Sequence, residues 1–218
     1  MESKENSKQS MLHSLLSAPY ILWMIIFIIV PLCMVVYFAF TTSQGSFTLD
    51  NIKAVGQYSN IFIRSIRLAA IATVICLVIS YPAAFILTRM NKSVQSTMLM
   101  IIMLPMWMNF LLRTYAWMTL LGNNGIINSL LKLIGLGSVK LLNTQGAVVL
   151  GMIYNYIPYM ILPLYSIMIK IDKSVMEAAQ DLGCNPPQVL WRVVLPLSLP
   201  GIMSGVTMVF LPALTAFY

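Results

Sequence analysis

An all-α, polytopic bundle of membrane-spanning helices is the fold class this sequence predicts, and three observations predict it. Of 218 residues, 59% are hydrophobic and 9% charged, with a mean hydropathy of +0.85. Soluble chains run near about 45–50% apolar and about 25% charged, so lipid is the solvent for most of this chain. Second, five runs carry little or no charge and are long enough for the roughly 30 Å hydrocarbon core, which takes about 20 helical residues. They are Pro19–Phe40, Leu68–Thr88, Met98–Leu121, Gly146–Ile169 and Leu199–Tyr218. Third, backbone groups in lipid must bond within their own segment, which makes each run a helix.

The first run is too long for the apolar core of a signal peptide and lacks a small-residue cleavage site, so it reads as a retained helix. Before it, the polar segment 1–18 holds the single histidine, His13, with no acid or nucleophile arranged around it. The third run contains Arg113, the one charge inside a spanning run. Such a charge costs about 2.5–3.5 kcal/mol on insertion scales and is a functional candidate by default, although its stem could also snorkel to headgroups as an anchor. Pro82, Pro105, Pro158, Pro163 and Pro212 fall in or near the runs, where they can kink helices or only shape them. Gly201-x-x-x-Gly205 and Ala147-x-x-x-Gly151 are small-residue stripes that permit close helix contact.

The net charge of +7 comes from basic residues scattered singly through loops, which favours anchoring at a membrane surface over nucleic acid. A cytoplasmic N-terminus puts Lys4, Lys8, Arg89, Lys92, Lys170, Lys173 and Arg192 inside, against Lys53, Arg64, Arg67, Lys132 and Lys140 outside. That asymmetry favours the N-terminus inside, weakly. Cys33, Cys76 and Cys184 form no CxxC pair, so neither a disulfide framework nor a metal site is expected. None of the eleven glycines is followed by lysine, so no phosphate-cradling G-x-x-x-x-G-K-[ST] loop exists and no nucleotide or other cofactor site is expected.

The stretch 174–200 is the long amphipathic, charge-bearing exception. Ser174-Val-Met-Glu177 matches a capping box and predicts a helix starting at Val175. Gly183 is the natural left-handed residue after its end, near Leu182. Asn185 can cap a second helix with Pro186 at its first position and Gln188 as reciprocal partner, and Pro196 and Pro200 close it. Two short helices with a glycine elbow should therefore lie across the membrane surface. Ala178 and Ala179 remove bulk, so another surface could approach the first of them closely.

Glu177-Ala178-Ala179, three residues, Gly183, nine residues, Val193, one residue and Leu195-Pro196 resemble the EAA loop of the membrane subunits of binding-protein-dependent ABC importers. Val193 stands where that pattern has isoleucine. The resemblance implies that 170–198 is a cytoplasmic coupling loop fitting a cleft on a separate ATPase, inside a permease domain spanning 19–218. Phe47–Asn51, Leu104–Trp117 and Leu211–Tyr218 further resemble spermidine/putrescine permease subunits. This implies polyamine import with a cytoplasmic ABC ATPase subunit (PotA-like), a second permease subunit (PotC-like) and an extracytoplasmic substrate-binding protein (PotD-like). Members of the family have six helices, so five of an expected six are present and the chain reads as truncated at its C-terminus.

A polycation in a low-dielectric path needs carboxylates or π-faces, the latter worth about 0.5–2 kcal/mol each. The spanning runs contain no Asp or Glu. Candidates for the translocation path are therefore Trp107, Arg113, Tyr115, Trp117, Tyr154, Tyr156 and Tyr159, although aromatics at helix ends are also the usual interfacial belt. Import of another small organic solute (an amino acid, thiamine, a sugar derivative) stays open. A self-contained channel or secondary transporter would usually carry its own intramembrane carboxylates.

Overall fold

The computed structural model describes residues 18–42, 45–133, 135, 137 and 139–216. The expected cytoplasmic segment 1–18 lies outside them except for Ala18, as do Phe217 and Tyr218. The chain forms two compact units, Met1–Phe62 and Ile63–Tyr218.

In the first unit, α1 (Ala18–Ala39) is a 22-residue apolar helix of spanning length. It contains a π-turn at Ile25–Ile29, where the Val30 N–H reaches back to the Ile25 carbonyl, immediately before Pro31. The widened turn accommodates a residue that has no N–H and whose ring crowds the preceding turn. A tight reversal follows, with Thr41 bridging Phe47 and the Phe40 and Phe47 rings stacked at 6.0 Å. Asn51 Nδ2 donates to the carbonyls of Phe38 (3.1 Å) and Thr41 (3.2 Å), so the Phe47–Asn51 motif staples this turn to the end of α1.

Helix α2 (Asp50–Arg89) starts in this turn and carries the second expected run. In the second unit it is followed by α3 (Lys92–Trp107), α4 (Phe110–Leu121), α5 (Ile126–Leu133), α6 (Gln145–Met168), α7 (Lys173–Asp181), α8 (Pro186–Leu197) and α9 (Leu199–Thr215). The core joins three helices: Cys76 and Ala84 of α2, Met160, Leu164 and Met168 of α6, and Val209 of α9. Ala69 and Ala72 of α2 meet Met152 and Ala213 in a second cluster. The α6–α9 pair is the most extensive helix contact. The Gly201/Gly205 stripe makes that contact possible: a Cβ on Gly205 would stand 2.7 Å from Met160 Sδ, and one on Gly201 would stand 3.1 Å from the Pro163 carbonyl oxygen.

Three expected runs are single helices of spanning length, α1, α2 and α6, and the other two are bent pairs. The third, expected as one helix over Met98–Leu121, turns through 91° between α3 and the segment Phe110–Leu133. Met108 and Asn109 are extended there (ψ 142° and 134°), and Asn109 Oδ1 accepts from the Leu111 N–H to start α4 afresh. An Asn that caps outcompetes the apolar periodicity that would carry the helix through. The other bend, 70°, separates α8 from α9 at Ser198. Pro82, Pro158, Pro163 and Pro212 instead lie within continuous helices, and Pro105 lies near the end of α3. The stripe Ala147-x-x-x-Gly151 does not mediate helix contact, because nothing lies within 4 Å of a Cβ built on Gly151.

Candidate functional site: a surface coupling element and a cavity around Arg113

The first part of the site is α7–α8. Asp172, not Ser174, caps α7: its carboxylate accepts from the Ser174 N–H at 3.1 Å, so the helix begins at Lys173 and the expected Ser174/Glu177 capping box does not form. An aspartate one turn earlier is both a good cap and a favourable charge for the helix dipole. The other end forms as the sequence indicates. Gly183 has φ +88°, its N–H donates to the Gln180 carbonyl (2.8 Å), and the Cys184 N–H reaches the Ala179 carbonyl (3.0 Å). This is the Schellman pair of bonds that closes a helix on a left-handed residue. Asn185 and Gln188 form the expected capping box at the start of α8, with the Asn185 N–H donating to Gln188 Oε1 at 2.9 Å.

Pro196 does not end α8. A π-turn at Leu190–Val194 takes it in, as at Pro31, and the break comes at Ser198, whose Oγ lies 3.1 Å from Tyr81 Oη. Met176, Ala179, Val189 and Val194 form a small core inside the element, with Val193 packed against it. The two alanines of the motif therefore split: Ala179 faces this core, while Glu177, Ala178 and Gly183 are exposed. Leu195 is half-buried and Pro196 exposed. Leu182 at 87% exposure and Trp191 at 66% add large apolar groups to the outer side.

The element is tied to the bundle by two polar contacts. Arg89 Nη2 of α2 donates to Met176 Sδ at 2.7 Å, with its guanidinium 4.9 Å from the Phe85 ring centre. Gln95 of α3, buried, donates to the Met90 carbonyl (2.7 Å) and accepts from Tyr165 Oη of α6 (2.9 Å).

The second part is a pair of cavities. The larger, of about 330 Å³, reaches from Leu142 and Asn143 past Ala147 and Gly151 to Asn155, with Trp117 and Arg113 on its α4 side. The smaller, of about 100 Å³, continues between Met106, Tyr156 and Tyr159. Phe110, Arg113 and Asn155 line both. Trp117 packs edge-on to Tyr154 (5.4 Å) and Tyr156 to Tyr159 (6.2 Å). Five of the seven expected path residues, Arg113, Trp117, Tyr154, Tyr156 and Tyr159, thus gather at the α4–α6 junction. Trp107 (86% exposed) and Tyr115 (64%) do not join them. Asn155, a lone amide in an apolar run, was missed by a search for charges and rings; its polarity in that context was the available signal. Among the described residues no group of His, Cys, Asp or Glu could hold a metal ion.

Fold and site together define a polytopic membrane protein with a self-folded helical element outside its spans. The chain belongs to the family of binding-protein-dependent transport system inner membrane components, which matches residues 77–218. It is 39% identical over 206 residues to the spermidine/putrescine transport system permease protein PotB of Haemophilus influenzae, covering 90% of this chain and 72% of that protein. Against PotB of Escherichia coli K12 the identity is 34% over 206 residues, 90% and 75% of the two chains. The inner membrane ABC transporter permease protein YdcU of E. coli K12 is 31% identical over 174 residues, 72% of this chain and 56% of that one. Among solved structures, a bacterial ABC transporter involved in import of the acidic polysaccharide alginate matches with a TM-score of 0.72 at 22% identity, over 93% of this chain and 73% of that one, a likeness of fold.

Proposed function

We propose that this chain is a permease subunit of an ABC importer for polyamines, powered by a separate cytoplasmic ATPase that docks on α7–α8. The observation that carries the coupling reading is the exposed side of that element. Glu177, Ala178, Leu182 and Gly183 are turned outward, on a unit that has its own small core and is fastened to α2 by Arg89–Met176. A unit built this way can be pushed without unfolding. The N-terminus and residues 170–198 lie in the cytoplasm in this reading, and the remaining partners are a second permease subunit and an extracytoplasmic binding protein. The polyamine substrate is supported by the similarity to PotB proteins over 90% of the chain. The path runs along the α4–α6 cavities, where Trp117, Tyr154, Tyr156 and Tyr159 offer π-faces to a cation.

One observation favours a second reading, import of a different small organic solute: the cavity wall carries a guanidinium, and the spanning runs carry no carboxylate. Labelled spermidine uptake in cells expressing the chain with its neighbouring transporter genes, competed by unlabelled putrescine, amino acids, thiamine and sugars, separates the two. Competition by putrescine alone supports the polyamine reading. Uptake indifferent to the chain's presence refutes it.

A further inference from the structure

Arg113 poses an unsolved charge problem. Its Nε is buried and, among the described residues, has no hydrogen-bond partner. The groups lining the cavities beside it are Asn155, Tyr156, Tyr159, Thr114, Asn143 and apolar side chains, with no carboxylate. Depth rules out the usual escape. Asn155, which shares both cavities with Arg113, lies ten residues beyond Gln145 in the 24-residue α6, so about 15 Å of helix separates it from the nearer end. That is about the middle of a hydrocarbon core of roughly 30 Å, beyond a side chain's reach to headgroup phosphates. An arginine there keeps its charge, because its pKa is too high for neutralisation by proton loss. It therefore calls for an anion that forks onto the guanidinium, and a carboxylate fits that fork.

We infer that Arg113 receives a carboxylate from a membrane-spanning helix of a second, different polypeptide of the transporter. A second copy of this chain cannot supply it, because the spanning runs contain no Asp or Glu. A polycationic substrate cannot supply it either, and a polycation passing an unneutralised guanidinium would be repelled. The rim is open to such a helix: Phe110 and Met118 are each 48% exposed, and Leu111 and Leu112 of the same turn are exposed at 61% and 65%. The inference rests on the permease-subunit reading and completes the proposed path, since pairing converts the one cation in the wall into a neutral, hydrogen-bonded patch beside Trp117 and Tyr156.

The test uses the assembled transporter, with the chain tagged and its membrane partner identified by co-purification in mild detergent. Arg113→Gln and Arg113→Glu should lower both labelled spermidine uptake and recovery of that partner at least tenfold, while Arg113→Lys keeps uptake within about threefold. In the Arg113→Glu background, each Asp or Glu in the partner's spans is changed to Arg in turn; one exchange should restore at least a third of partner recovery. Normal uptake and recovery with Arg113→Gln would overturn the inference, as would failure of every exchange. So would recovery lost only when the complex is reconstituted without anionic lipid, which would make the anion a headgroup. Partner recovery does not depend on substrate. A wild-type complex that fails to import spermidine but shows the charge-exchange rescue would refute the polyamine reading and leave this inference standing.

Discussion

Gly183 offers a clean separation of backbone from bulk. A Cβ built there meets nothing within 4 Å, so a larger side chain encounters no wall. Its φ of +88° is the obstacle. An L-residue in the left-handed region costs about 1–2 kcal/mol, whereas asparagine tolerates it and serves as a natural substitute at this helix-end position. Gly183→Ala should therefore open the closing turn of α7 about 5- to 30-fold more often, the population change that one or two kcal/mol brings. Gly183→Val should do worse, because a β-branched residue is a genuine outlier at positive φ. Gly183→Asn should stay close to wild type. The amide to watch is that of Cys184, whose hydrogen bond to the Ala179 carbonyl exists only when the turn is closed. Hydrogen exchange at this amide should accelerate in the order Asn, Ala, Val, and ATP-driven uptake by the reconstituted transporter should fall in the same order, with insertion into the membrane unchanged. A series ordered by side-chain volume, with Asn worse than Ala, would refute the reasoning, because volume is not what the structure limits here.

Other expectations follow from the same geometry. Glu177→Lys reverses an exposed charge that makes no ion pair among the described residues, so it should leave thermal stability unchanged while ATPase stimulation by the membrane subunits is lost; intact stimulation would remove Glu177 from the docking surface. Gly205→Leu drives a side chain into Met160 and should cost about 1–3 kcal/mol by overpacking, seen as a lower unfolding temperature in detergent, and an unchanged temperature would deny the α6–α9 seam. Gln95→Leu strands the Tyr165 hydroxyl and the Met90 carbonyl, a loss of about 1–3 kcal/mol, and Tyr165→Phe in the same background should then cost little more. Additive losses from the two changes would show that the residues do not act as a pair.

The class of fold was legible because lipid imposes one simple rule, and apolar length alone identified the runs. The coupling element was legible in detail at Gly183, Asn185, Pro186 and Gln188, since caps and elbows are encoded by residues whose chemistry works locally. Ser174 misled because two candidate caps, Asp172 and Ser174, stand two residues apart, and the choice between them turns on where the preceding chain delivers the backbone. The break at Asn109 was hidden by the apolar residues on both sides of it. Most of the cavity was not legible: nothing in the spacing of Arg113 and Asn155, 42 positions apart, says that they line the same two spaces. That adjacency arises from the 91° turn of α4 against α6.

The fastenings determine which parts of the bundle behave as one body. Helix α8 continues into α9 through Ser198, which is also held by Tyr81 of α2. Helix α9 is locked to α6 at Gly201 and Gly205, where the backbone approaches Pro163 and Met160 too closely to slide without a clash. Close-packed interfaces of this kind do not deform continuously. Force applied to α8 is therefore delivered to α9 and α6 together, and α6 bears Asn155, Tyr156 and Tyr159. The opposite wall of the cavities belongs to α4, which is separated from its own lead-in helix α3 by the break at Met108–Asn109. The α4–α6 junction is consequently the place in this chain where a tightly packed body faces a segment on a joint, and the cavities with Arg113 between them lie in that gap.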